Sequence, residues 1–94
     1  MNEYFVYILS SKKNGTLYVG VTDDLVRRVY EHKTGVSEGF TKKYNVKNLV
    51  WYESTASIES AILREKQIKA GSRVKKVELK KKMNPTWEDM YDSL

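Results

Sequence analysis

Tyr7, Tyr18, Arg28, His32 and Glu65 are the residues of this 94-residue chain whose types and spacing could do chemistry together. They are two phenols, a permanent cation, the chain's only histidine and a carboxylate in an otherwise apolar register. Hairpin arithmetic brings the phenols together. Asn14-Gly15, between the runs "YFVYIL" and "LYVGV", is a strong hairpin signal. A two-residue loop there pairs Ser11 with Tyr18, whereas a four-residue loop pairs Leu9 with Tyr18 and Tyr7 with Gly20. Side chains alternate along a strand, so any even loop puts Tyr7, Tyr18 and Gly20 on one face. The glycine then leaves space between two outward-looking hydroxyls. The plainer alternative is that both tyrosines pack a helix.

Arg28 and His32 are four apart and so are neighbours on a helix surface. Each lies three after an apolar residue, Leu25 and Val29, and so flanks the buried stripe. They either join a site or merely snorkel and cap. Glu65 follows Ile58, Ala61 and Ile62 by seven, four and three, and precedes Ile68 by three, which places it on the apolar face. Burying a carboxylate alone is expensive. A salt bridge to Arg28 or a divalent cation would satisfy it.

The elements that must position these groups are short. Tyr4–Leu9 suits a strand buried on both faces, and Leu17–Val21 is its returning antiparallel partner. Asp23 or Asp24 caps a helix whose stripe is Leu25, Val29 and Val26, ending near Gly35. Residues 35–45 have no period and read as a loop, and Val46–Glu53 is a third strand. Ser54 or Thr55 caps a second helix closed by Gly71, Ser72 caps a short basic helix ended by Pro85, and "TWEDMY" forms a last turn docking through Trp87. The expected order is ββαβαα: a small α+β domain with a three-stranded antiparallel sheet flanked by helices. It is read as one domain over 1–94, with a core at about 4–70 and a basic helix and tail at 71–94.

Composition narrows the partners. With no cysteine and one histidine, disulfides, thiolate metal sites and His-rich zinc sites are excluded. No apolar run approaches the ~20 residues of a membrane span, and the first ten residues lack a signal-peptide pattern, so a soluble cytoplasmic protein is expected, with no membrane partner. The net charge of +5 is concentrated in residues 64–82, which hold 9 basic and 2 acidic side chains. Such a field draws polyanions, nucleic acid first among them. A merely solvated helix face is the bland alternative.

Taken together, Tyr7, ten intervening residues and Tyr18-Val19-Gly20 resemble the signature of the GIY-YIG nuclease superfamily, with Phe5-Val6-Tyr7 in place of GIY. The family's arginine, ten positions after the second tyrosine, falls on Arg28. Its His or Tyr one turn later falls on His32, and its acidic residue on a later helix falls on Glu65 in "LREKQIK". The whole chain, including "NPTWEDMY", is similar to the small stand-alone group of that superfamily. Phe5 departs from the first glycine of the signature, and Val21 stands where some DNA-repair relatives carry a lysine. A late family asparagine corresponds loosely to Asn84.

The resemblance implies a metal-dependent endonuclease acting on DNA, with RNA as another substrate, structure-selective in a repair or recombination setting. It implies that Glu65 holds a single Mg²⁺ or Mn²⁺, and that Tyr18, or Tyr7 with it, is the general base. A phenol's pKa near ~10 is high for that task, and a cation such as Arg28 or the metal is expected to lower it. Arg28 would stabilise the phosphorane, His32 would shuttle a proton, and Thr22 would orient water or phosphate. Lys42, Lys43, Lys69, Arg73, Lys75 and Lys76 would track the backbone, with Phe40 or Tyr44 free to stack on an unpaired base. The alternative is a nucleic-acid-binding module on the same scaffold without useful turnover. The oligomeric state is open, with a monomer plausible.

Overall fold

Three antiparallel strands, β1 (Tyr4–Ser10), β2 (Leu17–Thr22) and β3 (Asn48–Thr55), form one sheet in the order β2-β1-β3 in a computed structural model that describes residues 2–37 and 39–94. The continuous apolar run of the first strand is explained by its central place. Val6 and Ile8 face one core with Val19, Val50, Trp51, Ala61 and Ile68, while Tyr7 and Leu9 face a second with Leu25, Val29, Val46 and Leu49. The hairpin takes the four-residue option: Leu9 pairs with Tyr18 and Tyr7 with Gly20. Its mouth is closed at Ser11 and Thr16, where the Ser11 N–H donates to the Thr16 carbonyl at 3.0 Å and the Thr16 N–H to the Ser11 hydroxyl at 3.0 Å. The even parity therefore holds.

Helix α1 (Leu25–Thr34) is capped by Asp24, whose carboxylate accepts the Arg27 N–H, and ends at Gly35 in a left-handed conformation, φ 75°. Its buried residues are Leu25, Val29 and His32. Val26, expected in the stripe, is 50% exposed. One residue on from Leu25 is a 100° turn, which carries it off the buried face. Residues 35–45 are not all loop: a single helical turn, α2 (Phe40–Lys43), lies inside them between positive-φ residues at Gly39 and Asn45. Glu38, in the same stretch, lies outside the described residues.

The third strand begins two residues later than expected and runs on to Thr55, with a bulge against Ile8 and Leu9. In consequence the cap of α3 (Ile58–Ala70) moves to Ser57, whose hydroxyl accepts the Ser60 N–H, in place of Ser54 or Thr55. Of the four apolar residues assigned to its buried face, Ala61 and Ile68 are buried, while Ile58 and Ile62 are 37% and 40% exposed. Ser72 caps α4 (Arg73–Met83) as expected. Beyond it the chain returns to the sheet. Trp87 packs on the first core beneath the Lys80 ammonium, 3.9 Å above its ring. Asp89 accepts the Leu49 and Tyr91 N–H groups and pairs with Lys33. The last turn is a 3₁₀ turn at Tyr91–Ser93 rather than over 86–91. No helix among the described residues is long and apolar enough to cross a membrane.

Candidate nuclease site

The site begins with a missing side chain. The Tyr7 ring lies across Gly20, its register partner, so closely that a Cβ there would sit 2.4 Å from the Tyr7 hydroxyl oxygen and 2.5 Å from Cζ. The phenol thus crosses the sheet backbone to meet α1. There its hydroxyl lies 3.1 Å from His32 Nε2, and the Arg28 guanidinium contacts it as well. Arg28 sits at the edge of the buried face of α1, two-thirds shielded, and its Nη1 is 3.1 Å from the Glu31 carboxylate. Burial works against its charge, but the contacts with Tyr7 and Glu31 outweigh it and hold the guanidinium pKa up. Tyr18 completes the cluster, its ring centroid 5.6 Å from that of His32 and 6.3 Å from that of Tyr7.

Electrostatics correct one expectation. Arg28 does pull the Tyr7 pKa down, but burial pushes harder, with Tyr18 and Glu65 adding to it, and the phenol rises to about 12. Tyr7 is therefore protonated at neutral pH. His32 moves the other way. Burial and then the Arg28 charge lower it to about 4, so the imidazole is neutral at pH 7. A neutral ring has one donor and one acceptor nitrogen. With Tyr7 protonated and the ring neutral, the Tyr7 O–H donates to Nε2. Nδ1–H then donates to the Thr41 hydroxyl, 2.9 Å away.

Thr41 was not legible as a site residue. It is 4% exposed, carried inward by the α2 turn, and only Gly39, just before that turn, hinted at local structure. Glu65 lies near enough to Tyr7 for its charge to act on the phenol. Its side chain is 16% exposed and its ion-pair partner is Lys69, at 3.5 Å, so the alternative of a bridge to Arg28 is not realised.

The outlying expectations divide. Thr22 shapes the entry to α1, its hydroxyl accepting the Asp24 N–H at 3.1 Å. Asn84 is buried, donates to the Val50 and Glu88 carbonyls, and accepts the Glu88 N–H, which ties the C-terminal segment to the sheet. Lys42 and Lys43 stand exposed on α2 beside Phe40 and Tyr44, and Arg73 and Lys75 are exposed on the first turn of α4. Lys69 is engaged by Glu65, and Lys76 donates to the Gly71 carbonyl at 2.7 Å, capping α3.

Comparison with known proteins identifies the family. Residues 3–84 match the GIY-YIG catalytic domain. A UPF0213 protein of Staphylococcus saprophyticus is 34% identical over 79 residues, covering 84% of this chain and 95% of that protein. One from Haloquadratum walsbyi is 38% identical over 80 residues, 84% of this chain and 89% of the other. The solution structure of a UPF0213 protein of Bacillus halodurans superposes with a TM-score of 0.58 at 32% identity, over 94% of this chain and 93% of that one. The chain belongs to the GIY-YIG nuclease family, in its small UPF0213 group.

Proposed function

We propose that this protein is a divalent-metal-dependent endonuclease that hydrolyses phosphodiester bonds in DNA, with repair or recombination as its setting. The observation that carries the reading is the meeting of Tyr7, Arg28 and neutral His32 at one hydroxyl, with Tyr18 alongside. A binding module needs charge but has no use for a phenol oxygen held between a guanidinium and an imidazole. Arg28 offers a fixed fork to the charge that develops on phosphorus. His32, held by Thr41, accepts the Tyr7 O–H, and Tyr7, staying protonated and buried, keeps the Arg28 guanidinium in place beside Tyr18. Tyr18, half-buried rather than buried, is the group left to take the proton from the attacking water.

Glu65 suits a hard cation such as Mg²⁺ or Mn²⁺. It is a shielded carboxylate whose partner is a flexible lysine four residues on, and among the described residues no cluster of three metal-binding side chains exists to hold a softer, fully caged ion. An ion that keeps most of its waters and shares a substrate phosphate needs no more than one such ligand. Bound there, it would supply Lewis-acid stabilisation of the phosphate charge.

The test is cleavage of labelled single-stranded, duplex and branched DNA with Mg²⁺ or Mn²⁺, comparing wild type with Glu65→Ala. Metal-dependent cutting that vanishes in the variant is the expected result. Equal binding by both proteins, with no cutting of any of these substrates, would make the chain a binding module toward DNA.

A further inference from the structure

α2 turns one residue inward and two outward. While Thr41 reaches His32, Phe40 and Tyr44 remain 45% and 47% exposed. Their rings are 4.8 Å apart, and Phe40 in turn stacks on Tyr18, 6.3 Å between centroids and 26° between planes. Tyr18 therefore has a place both in the polar cluster and at the root of an aromatic run that ends in solvent. Lys43 lies 5.4 Å from the Tyr44 ring centroid, and Lys42 is next to it on the same turn. Large exposed rings on so short a segment are costly to keep in water, and neither ring belongs to the buried core.

We infer that Tyr18, Phe40 and Tyr44 form a stacking platform for one unpaired nucleobase, so that the strand to be cut enters this site single-stranded. An aromatic ring binds a base only through a free π-face, and inside a duplex both faces are already stacked. Bases stack on such rings irrespective of sequence, with flanking lysines holding the phosphates. Continuity with Tyr18 fixes the register: the phosphodiester next to the stacked base is the one presented to Tyr18 and Arg28. The platform rests on the nuclease reading for the cut that this register directs, but not for binding.

The experiment measures affinity without metal, by fluorescence anisotropy, for a single-stranded DNA oligonucleotide trimmed to the shortest length that still binds fully, so that only one register is open to it, for a duplex containing it, and for a set of such single strands each carrying one abasic sugar. Wild type is compared with the Phe40→Ala/Tyr44→Ala variant and with Phe40→Leu/Tyr44→Leu, which keeps apolar bulk if the alanines unfold the turn. Stacking of one base predicts a loss of about 5- to 150-fold for the single strand, with duplex binding within about twofold of wild type. One or two abasic positions reproduce that loss in wild type and cause no further loss in the variants. An abasic series that is flat in wild type, or equal losses on duplex and single strand, would overturn the platform. The two readings fail separately. A positional abasic effect with no cleavage sinks the nuclease and leaves the platform. Cleavage with a flat series does the reverse.

Discussion

Gly20→Ala perturbs the site by one methyl group, and the structure allows its effect to be worked out. The added carbon would lie 2.4 Å from the Tyr7 hydroxyl and 2.5 Å from Cζ, with Tyr18 Cε2 at 3.0 Å. Carbon atoms rest at about 3.5–4.0 Å, so the tip of the Tyr7 ring must retreat by about 1 Å. It has little room to do so, because Tyr7 is 1% exposed and its hydroxyl is held at 3.1 Å by His32. Overpacking of this kind destabilises by about 1–3 kcal/mol. At about 2 kcal/mol, a domain of this size loses roughly 8–16 °C in Tm. Thermal and urea unfolding by circular dichroism measure it, and cleavage falls with it because the Tyr7–His32 contact is broken. Tyr7→Phe in the same molecule recovers little, since the 2.5 Å contact to Cζ remains. Tyr7→Leu, which shortens the side chain, removes the coupling between the two sites. A Tm for Gly20→Ala within about 2 °C of wild type would show that Tyr7 is not confined against Gly20.

Further predictions concern the groups around that contact. Thr41→Val keeps the shape of the side chain but leaves Nδ1 of His32 unpartnered, which lowers stability by about 1–3 kcal/mol and reduces cleavage; Thr41→Ser restores both. Equal behaviour of the Val and Ser variants would remove Thr41 from the site. His32 makes stability depend on pH in a definite direction. Its folded pKa, about 4, lies below the ordinary 6.5, so the unfolded chain takes up the proton first as pH falls. The stabilisation is fully present above about pH 6.5 and is lost between there and pH 4. Over that window His32→Phe has a flatter stability profile than wild type, and parallel profiles would contradict the assignment. Asn84→Ala strands the Glu88 N–H and lowers stability by about 1–3 kcal/mol with the cleavage rate of the folded fraction unchanged. A rate loss in fully folded protein would return Asn84 to the site.

Much of the site was legible because it rests on two exact periodicities. Alternation in a hairpin with an even loop put Tyr7, Tyr18 and Gly20 on one face whichever loop formed. The helical repeat set Arg28 and His32 beside Leu25 and Val29, and His32 proved to be inside the stripe rather than on its flank. The same repeat placed Glu65 correctly at a shielded position but overstated its surroundings, since Ile58 and Ile62 are partly exposed. Position on a face says which way a residue points, not what covers it.

What escaped was tertiary. The α2 turn is too short to have a period, so nothing in residues 35–45 marked Thr41 as the partner of His32. The fate of the Tyr7 proton depended on a contest between burial and Arg28 that spacing cannot weigh, and burial won. Asn84 lay at a loosely matching position, but its carboxamide is committed to backbone groups of β3 and the C-terminal segment.

The role of Arg28 in cleavage rests on separating rate from affinity. As one of seventeen basic residues it carries little of the non-specific attraction to DNA, yet it is the cation that touches the Tyr7 hydroxyl. Single-turnover cleavage and metal-free binding by Arg28→Ala are measured on the same oligonucleotide. The expected rate is lower by about 10²–10³-fold, as for loss of one transition-state donor, with Kd within about twofold of wild type. A Kd that weakens in proportion to the rate would show that Arg28 only holds DNA, and would contradict the site as described.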